Sequence, residues 1–267
     1  MQLRLQQGHS VNKKTTLMDD YHLLSYDVLD STNEEAKRLA EGGASHGAVI
    51  WARKQTAGRG RMGREWVSPE GNLYVSVLLS PEQTLEICSQ LSFVAAVAAA
   101  ETLQAILPEE GGITCKWPND ILFAGRKLGG ILLESFTIPG AGEEARPWVV
   151  VGMGINIDHF PEHVIFPATC LRAAGVELIS AKIVLSRLIY NFIHRYDEWA
   201  REGFKPIQKL WIDHAYRLGH PTEVLVGDKQ YHGIFDGIDA AGRLLLRQPS
   251  GAVTGITAGD VFFKESA

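Results

Sequence analysis

The chain contains few cysteines, with only Cys88, Cys115 and Cys170 among its 267 residues. They lie far apart, without the paired spacing of a zinc site and without the even number of a disulfide framework. This scarcity excludes a small secreted fold that depends on disulfides. Reduced thiols in a cytoplasmic protein are the simplest interpretation.

A surplus of basic charge is also missing. The formal net charge is -5, from 26 Lys and Arg against 31 Asp and Glu. No overall positive field therefore attracts the chain to nucleic acid or to anionic membranes.

Long apolar runs are absent as well. The longest apolar stretch, 91–107, is interrupted by Ser92, Glu101 and Gln104. It is shorter than the roughly 20 apolar residues that cross a bilayer. Residues 1–20 contain no apolar core of the length that a signal peptide needs. We therefore expect a soluble protein with no membrane partner and no nucleic-acid partner.

The residue pattern predicts a mixed α and β domain. Residues 1–20 are polar and aperiodic and are expected to form a loose lead-in, so that order begins near Tyr21. Glycine, proline and a polar loop at 139–147 separate the predicted elements. The predicted strands are 21–29, 47–53, 72–79, 113–117, 120–124, 127–135 and 148–157, and the predicted helices are 33–40, 84–107 (the longest) and 181–201.

The residue pattern changes after about His214. Short apolar runs alternate with Gly-Asp, Ala-Gly and Ser-Gly turns, which indicates a small all-β unit, a partly open barrel. The predicted organisation is an α+β domain over 21–213 and a β-barrel domain over 214–267.

A loop rich in glycine and arginine is the most unusual segment. RKQTAGRGRMGR, residues 53–64, contains five basic residues and three glycines. Glycine lets the backbone turn tightly and present its amides, and the arginine fork suits phosphate oxygens, so the loop is a candidate anion cradle. Residues 58–63 also satisfy the dinucleotide fingerprint G-x-G-x-x-G. That motif requires a helix directly after the glycines, which Pro69 and Gly71 prevent, so a nicotinamide-binding enzyme is disfavoured.

Several motifs occur in one order along the chain. They are Ser31-Thr32-Asn33, Gln55, GRGRMGREW (58–66), KWPND (116–120), GRKLGGIL (125–132) and GMGIN (152–156). Together they resemble the biotin protein ligase family, over roughly residues 21–265. The resemblance implies a central mixed β-sheet with flanking helices, as in class II synthetase-like catalytic domains, and a C-terminal SH3-like β-barrel. It also implies the reaction, in which ATP with Mg²⁺ converts biotin to biotinyl-5′-AMP, and a carrier lysine then takes biotin and releases AMP.

The same resemblance implies which residues form the site. Lys127, Arg61 and Asp120 are expected to be catalytic, and Asp120 either binds Mg²⁺ or orients the lysine amine. The residues implied for biotin are Ser31, Thr32, Asn33, Gln55, Gly58, Arg59, Gly60, Arg61, Lys127 and Gly130. The residues implied for ATP are Arg59, Arg61, Arg64, Trp66, Lys116, Asn119, Lys127 and Asn156.

Plainer interpretations exist for several of these residues when each is considered alone. Ser31 and Thr32 precede Glu34 and Glu35 by three residues, the pattern of a capping box at a helix start. Trp66 is otherwise a core tryptophan, and Asn119 with Asp120 is otherwise a turn-capping pair.

The implied partner is the biotin carboxyl carrier protein or domain of acetyl-CoA carboxylase or of another biotin-dependent carboxylase. Only about 20 polar residues precede Tyr21, too few for a helix-turn-helix domain, so a dedicated ligase without DNA binding is expected. Both a monomer and a homodimer fit the sequence. Two alternatives remain: a lipoate or octanoyl ligase, which has less use for Ser31, Asn33 and Gln55, and a non-catalytic biotin sensor.

Overall fold

The computed structural model describes residues 11–263 except 19, 139–146, 163 and 165. Its strands are β1 Lys13–Met18, β2 Tyr21–Leu29, β3 Ala48–Gln55, β4 Leu73–Leu79, β5 Ile113–Lys116, β6 Asp120–Phe123, β7 Arg126–Phe136, β8 Trp148–Ile155, β9 Pro221–Val226, β10 Lys229–Ile238, β11 Leu244–Arg247, β12 Val253–Ile256 and β13 Asp260–Phe263. Its helices are α1 Thr32–Glu41, α2 Leu85–Cys88, α3 Leu91–Gln104, α4 Ala181–Glu202 and α5 Phe204–Asp213. Almost all of the loop predicted at 139–147 lies outside the described residues.

Eight strands form one mixed sheet in the order β1-β2-β3-β4-β8-β7-β6-β5. Only β2 and β3 run parallel, and every other neighbouring pair is antiparallel. The predicted mixed sheet with flanking helices is confirmed. Because side chains alternate along a strand, the sheet has two distinct faces. Val75 and Val77 of β4 join the core beneath α3 and α4, whereas Leu78 joins a smaller core beneath α1.

The N-terminal prediction is wrong for residues 13–18. They form β1, which pairs with β2 from Lys13 opposite Ser25 to Met18 opposite Tyr21. The strand is polar because it lies at the sheet edge, where charged side chains such as Lys13 and Lys14 are common and discourage pairing with another chain. Polarity alone therefore did not distinguish an edge strand from a loose segment.

The single helix predicted over 84–107 is interrupted. Between α2 and α3, the Ser89 and Gln90 amides donate to carbonyls three residues earlier, Glu86 at 3.3 Å and Ile87 at 3.0 Å. The Gln90 side chain accepts from Trp199 Nε1 at 2.8 Å and donates to the Ala240 carbonyl at 3.0 Å. Tertiary hydrogen bonds thus anchor the tighter turn. The longest helix is α4 instead, with 22 residues against 14 in α3.

Helix α3 is apolar on all sides because it is buried on all sides. Eleven of its residues are buried, seven of them between Phe93 and Ala99. The segment Leu85–Gln104 has the length and hydropathy of a membrane span, but 61% of that window is buried inside the protein. Packing in a protein interior accounts for its composition.

The last five strands form a separate antiparallel sheet in the order β12-β11-β10-β9-β13. This confirms the predicted small β domain, of the SH3-like class. Its buried Phe235 lies with its ring centroid 6.5 Å from that of Trp211 on α5, so its core is continuous with that of the large sheet. Trp117 Nε1 also donates to the Gly242 carbonyl at 3.0 Å. The two sheets are therefore held together by both apolar and polar contacts.

Candidate functional site

Three glycines on adjacent strands leave a shallow floor on one face of the large sheet. Gly130 of β7 and Gly154 of β8 are direct partners, and Gly152 lies two residues away on the same face of β8. A Cβ at Gly154 would lie 2.8 Å from Cε2 of Trp66, and one at Gly152 would overlap the Asn33 amide. Glycine is required here because neighbouring side chains pack directly on the strands.

A buried set of polar side chains borders this floor. The Thr32 amide donates to Gln55 Oε1 at 2.8 Å, and the Thr32 hydroxyl lies 3.1 Å from the same oxygen. Ser76 Oγ on β4 lies 2.7 Å from Thr32 Oγ1 and 2.6 Å from Asn33 Oδ1. Thr32, Asn33 and Ser76 are 4%, 3% and 0% exposed, so nearly all of their polar atoms must find partners inside the protein.

Ser31 begins α1 without capping it. Its side chain makes no capping hydrogen bond, and its backbone amide donates to Asp30 Oδ1 at 2.6 Å rather than to Glu34 or Glu35. The capping-box prediction is therefore wrong in its contacts, although the helix does begin at Thr32. The helix cap therefore makes no use of the buried Ser31 hydroxyl.

The glycine-arginine loop follows β3 and folds back on itself. Gly58 has no room for a side chain, because a Cβ would overlap Ser68 and the Trp66 carbonyl. The Gly60 amide donates to the Arg64 carbonyl at 2.6 Å, and a short 3₁₀ turn covers Arg61–Gly63. No α-helix follows, which agrees with the exclusion of the dinucleotide-binding fold.

The three arginines that follow β3 in this loop, Arg59, Arg61 and Arg64, reach different partners. Arg59 forms ion pairs with Glu34 of α1 and Glu134 of β7. Arg61 Nη1 donates to Asn119 Oδ1 at 3.3 Å. Arg64 Nη2 lies 2.7 Å from Asp260 Oδ1 in the C-terminal sheet. These contacts separate Arg59, at the α1 side of the floor, from the other two arginines.

Cations outnumber carboxylates at the other end of the floor. Lys127 Nζ lies 2.6 Å from Asp120 Oδ1 across the β6–β7 hairpin, and Lys116 is 9% exposed with Nζ 4.1 Å from the Phe166 ring centroid. Burial lowers the pKa of Lys116, Asp120 opposes that shift and Lys127 adds to it. Burial likewise lowers the pKa of Arg61. The mutually interacting charges are Arg61, Arg64, Lys116 and Lys127 against Asp120 and Asp260, four positive and two negative.

Trp66 lies between the two ends of the floor. Its ring packs on Gly130 and Gly154, and Lys127 Nζ lies 5.3 Å from its ring centroid, within reach of a cation–π interaction. Its indole N–H has no hydrogen-bond partner among the described residues. A buried indole N–H without a partner costs free energy, so this atom is suited to a polar ligand group.

Two asparagine side chains are held by backbone carbonyls. Asn119 Nδ2 donates to the Ile131 carbonyl at 2.5 Å, and the buried Asn156 Nδ2 donates to the Thr169 carbonyl at 3.0 Å. Asn119 is joined to Arg61, whereas none of the hydrogen bonds found for the Asn156 side chain leads to another residue of the implied ATP set.

A Mg²⁺ ion held by protein ligands alone does not fit these residues. Across the part of the chain that the structure describes, no group of three His, Cys, Asp or Glu side chains is positioned to hold a metal. Asp120 offers a single carboxylate, which suits a Mg²⁺ ion bound mainly by water and nucleotide phosphates.

Sequence reasoning missed several residues of the site. Ser76 and Glu134 looked like ordinary strand residues, and Asp260 belongs to a different domain. Their only sequence signal is a polar residue at a strand position whose neighbours are apolar, as in LYVSVLL and ILLES.

Comparison with known proteins agrees with this geometry. The model of the biotin/lipoate A/B protein ligase family matches residues 25–156, and that of the biotin protein ligase C-terminal domain matches residues 218–264. The biotin–[acetyl-CoA-carboxylase] ligase of Paracoccus denitrificans is 40% identical over 239 residues, 88% of this chain and 97% of that protein. The bifunctional ligase/repressor BirA of Bacillus subtilis is 38% identical over 245 residues, 89% of this chain and 73% of that protein.

A solved structure supports the same relationship. The biotin protein ligase from Aquifex aeolicus in complex with biotin and ATP matches with a TM-score of 0.76 at 30% identity, over 91% of this chain and 99% of that chain. Two domain models in the expected order, and two relatives matched over 97% and 99% of their length, agree with the glycine floor and its cationic end. This chain therefore belongs to the biotin protein ligase family.

Proposed function

We propose how the residues around the glycine floor divide the work of a biotin protein ligase. The substrates of the chain are biotin and ATP, and the acceptor is a biotin carboxyl carrier protein. The observation that carries the proposal is that one sheet face joins a buried polar set at Thr32 and Asn33 to a cation-rich end at Lys127. The polar set suits the ureido ring of biotin, and the cationic end suits its carboxylate beside the nucleotide phosphates.

Activation takes place at the cationic end. A carboxylate oxygen of biotin attacks the α-phosphorus of ATP, the bond to the β-phosphate oxygen breaks, and pyrophosphate leaves with the bonding electrons. Lys127 and Arg61 lie where negative charge accumulates between the two reactants, and stabilising that charge lowers the barrier. Lys116 adds a second lysine at this end, and because it is nearly buried, water screens its charge less than that of an exposed lysine.

The adenine is assigned to the middle of the floor. Trp66 offers an aromatic face, and its unpartnered indole N–H can donate to the nucleotide. Asn156, at the end of β8, is the proposed partner of the adenine edge, and Asn119 keeps Arg61 oriented.

Transfer forms an amide bond. The carrier lysine amine attacks the carbonyl carbon of biotinyl-5′-AMP, the carbon–oxygen bond to AMP breaks, and AMP leaves with that electron pair. Asp120 has two candidate roles: it accepts a proton from the attacking amine, or it would help to hold Mg²⁺, which would neutralise phosphate charge. Asp120→Asn separates them, because loss of the metal role shifts the Mg²⁺ dependence of adenylate formation, whereas loss of the proton role slows only transfer.

We also propose the identity of the carrier protein and the cellular compartment. The carrier is the biotin carboxyl carrier protein of acetyl-CoA carboxylase, the substrate named for the Paracoccus denitrificans relative. The chain works in the cytoplasm, consistent with its three unpaired buried cysteines. We place the domain boundary at about 213–214, just after α5, with β1 included in the catalytic domain.

Intact mass spectrometry of an unmodified carrier domain tests the assignment. The carrier is incubated with ATP, Mg²⁺ and either biotin or lipoate, using the wild-type chain, Lys127→Ala and the control Lys182→Ala, which removes an exposed lysine on α4. We expect a biotin-sized gain that requires ATP, falls by about 10²–10³-fold in rate in Lys127→Ala and is unchanged in Lys182→Ala. A gain with lipoate alone, or biotin binding without any transfer, contradicts the proposal.

A further inference from the structure

Glu134 connects the polar set of the floor to the glycine-arginine loop. Its carboxylate lies on β7, 23% exposed, and accepts from Asn33 Nδ2 at 2.7 Å. The same carboxylate lies 2.9 Å from Lys37 Nζ and 3.1 Å from Arg59 Nη2. Glu134 is not among the residues implied by the sequence motifs, although it contacts two of them, Asn33 and Arg59.

The charge state of Glu134 determines what it can do in a hydrogen bond. Burial by itself raises the pKa of Glu134, but the hydrogen bonds from Asn33 and Lys37 and the charges of Lys37 and Arg59 outweigh burial and hold that pKa below its usual range. The group is therefore ionised at neutral pH, and an ionised carboxylate only accepts hydrogen bonds.

An acceptor at this position dictates the orientation of the Asn33 amide. The NH₂ group must face Glu134, because the reverse orientation would place two acceptor oxygens 2.7 Å apart. Asn33 Oδ1 then faces Ser76 Oγ at 2.6 Å, and the single Ser76 proton must be donated to it. The amide has no room to tilt away, since it packs directly on Gly152.

The direction of the Ser76 hydrogen bond also determines the direction at Thr32. Ser76 has one proton, so if that proton goes to Asn33 Oδ1, the 2.7 Å contact between Ser76 Oγ and Thr32 Oγ1 requires the Thr32 proton. The Thr32 hydroxyl then donates to Ser76 rather than to Gln55 Oε1, which lies farther away at 3.1 Å. Gln55 Oε1 remains satisfied by the Thr32 backbone amide at 2.8 Å. The lone pairs of Thr32 Oγ1 then have no donor among these neighbours.

We infer that Glu134 is a positioning residue that sets the hydrogen-bond direction through Asn33 and Ser76, so that the Thr32 hydroxyl accepts from a ureido N–H of biotin. This inference rests on the proposed placement of the ureido ring beside Thr32. A donor on the ligand meets an acceptor on the protein, and a ligand with an acceptor at that position meets repulsion. Glu134 thus contributes to specificity without touching biotin.

Replacing Glu134 by glutamine removes the constraint at almost constant shape. A glutamine amide can donate as well as accept, so Asn33 can flip and Ser76 can donate to Thr32. The Thr32 proton is then released from Ser76 and can turn toward Gln55 Oε1 or toward an acceptor on the ligand. The direction of the hydrogen bonds through Asn33, Ser76 and Thr32 becomes reversible. The matched control is Glu101→Gln, which alters a carboxylate 27% exposed and paired with Arg195 between α3 and α4, away from the site.

The experiment measures dissociation constants by calorimetry for biotin and for two cyclic carbamate analogues, each with one ureido N–H replaced by oxygen. We expect the wild-type chain and Glu101→Gln to reject one of the two analogues by roughly 100-fold or more, because two acceptors face each other. Glu134→Gln is expected to bind biotin roughly 10- to 100-fold more weakly, the effect of losing a hydrogen bond to a charged group. It should also reject that analogue at least about tenfold less than the wild-type chain does.

Ser76→Ala is a second variant, which interrupts this series of hydrogen bonds at a fully buried residue. Alanine is nearly the same size as serine. Ser76→Ala should reduce the discrimination as Glu134→Gln does, and the double variant should add little to either single one. Equal rejection of the analogue by the wild-type chain, Glu134→Gln and Ser76→Ala would overturn the role of Glu134. If Thr32→Val binds biotin as the wild-type chain does, the placement of the ureido ring is wrong, and the inference fails with it.

Discussion

At the scale of single residues, the glycine floor depends on the absence of side chains at its glycines. Gly152→Ala would place a methyl group within the space of the Asn33 amide. We expect the amide to be displaced from Ser76, with biotin affinity reduced by roughly tenfold or more and unfolding free energy lower by about 1–3 kcal/mol. Titration calorimetry and urea unfolding measure the two effects.

Gly255→Ala is the matched control for that substitution. Gly255 is also a strand glycine, in β12, and its nearest neighbour is the flexible side chain of Arg243 at 3.3 Å. Biotin affinity should be unchanged in this variant. Equal losses of affinity in both variants would mean that the floor has no special role.

Lys116 illustrates a conflict between stability and function. The lysine is 9% exposed, and burial lowers its pKa, so its charge is retained at a cost to the fold. Lys116→Met should therefore leave the free energy of unfolding unchanged or raise it, while kcat/KM for ATP falls by about tenfold or more. Pyrophosphate exchange and urea unfolding on the same preparation check both directions. A variant that is less stable yet fully active would contradict this account.

At the scale of elements, His46 joins the α1–β3 connection to the end of β4 and to α4. Its Nδ1 accepts from the Ser80 amide at 3.1 Å, and its ring centroid lies 5.8 Å from that of Tyr21 and 5.7 Å from that of Tyr196. Burial lowers the pKa of His46, and the nearby Asp20 and Asp197 only partly oppose that shift. The folded chain thus holds a neutral imidazole, whereas the unfolded chain takes up a proton at about pH 6.5.

The sign of the pH effect follows from this difference. Between about pH 6.5 and the lower folded-state pKa, the unfolded chain binds more protons, so stability falls as the pH falls. His46→Gln, which does not titrate, should lose less unfolding free energy between pH 7.5 and 5.5 than the wild-type chain in urea titrations. His232→Gln, at an exposed position of β10, serves as the control and should behave as the wild-type chain. Identical pH dependence in all three chains would exclude His46 as the source.

At the scale of the whole molecule, the C-terminal sheet contacts the glycine-arginine loop of the large domain. Asp260 of β13 binds Arg64 of the glycine-arginine loop at 2.7 Å. Asp260→Ala should free the Arg64 side chain and raise KM for ATP several-fold, while calorimetric biotin affinity is retained. Asp236→Ala is the control, because Asp236 is similarly exposed and pairs with Arg247 in the same sheet at 3.2 Å. A rise of KM in both variants would indicate a general loosening of the domain instead.

Much of the molecule follows from local chemistry along the chain. Apolar and β-branched runs predicted β3, β4 and β8 within a few residues, and helix signals predicted a helix over 33–40, close to α1 at Thr32–Glu41. The dense glycine and arginine of 58–64 predict an anion-binding loop, because these residue types combine tight turns with forked donors. The order of the motifs led to the biotin protein ligase family before any geometry was known.

Other features were decided only by tertiary structure, because they depend on which residues meet across the fold. The edge strand β1 is ordered by pairing with β2, and the break between α2 and α3 is held by Trp199 and Ala240. Arg59 and Arg64 look equivalent in the loop, yet one meets Glu134 and the other Asp260. Sequence determines which polar and charged groups are present. The fold determines which of them meet, because Arg59 and Glu134, like Arg64 and Asp260, are more than 70 residues apart and a hydrogen bond forms only at about 3 Å.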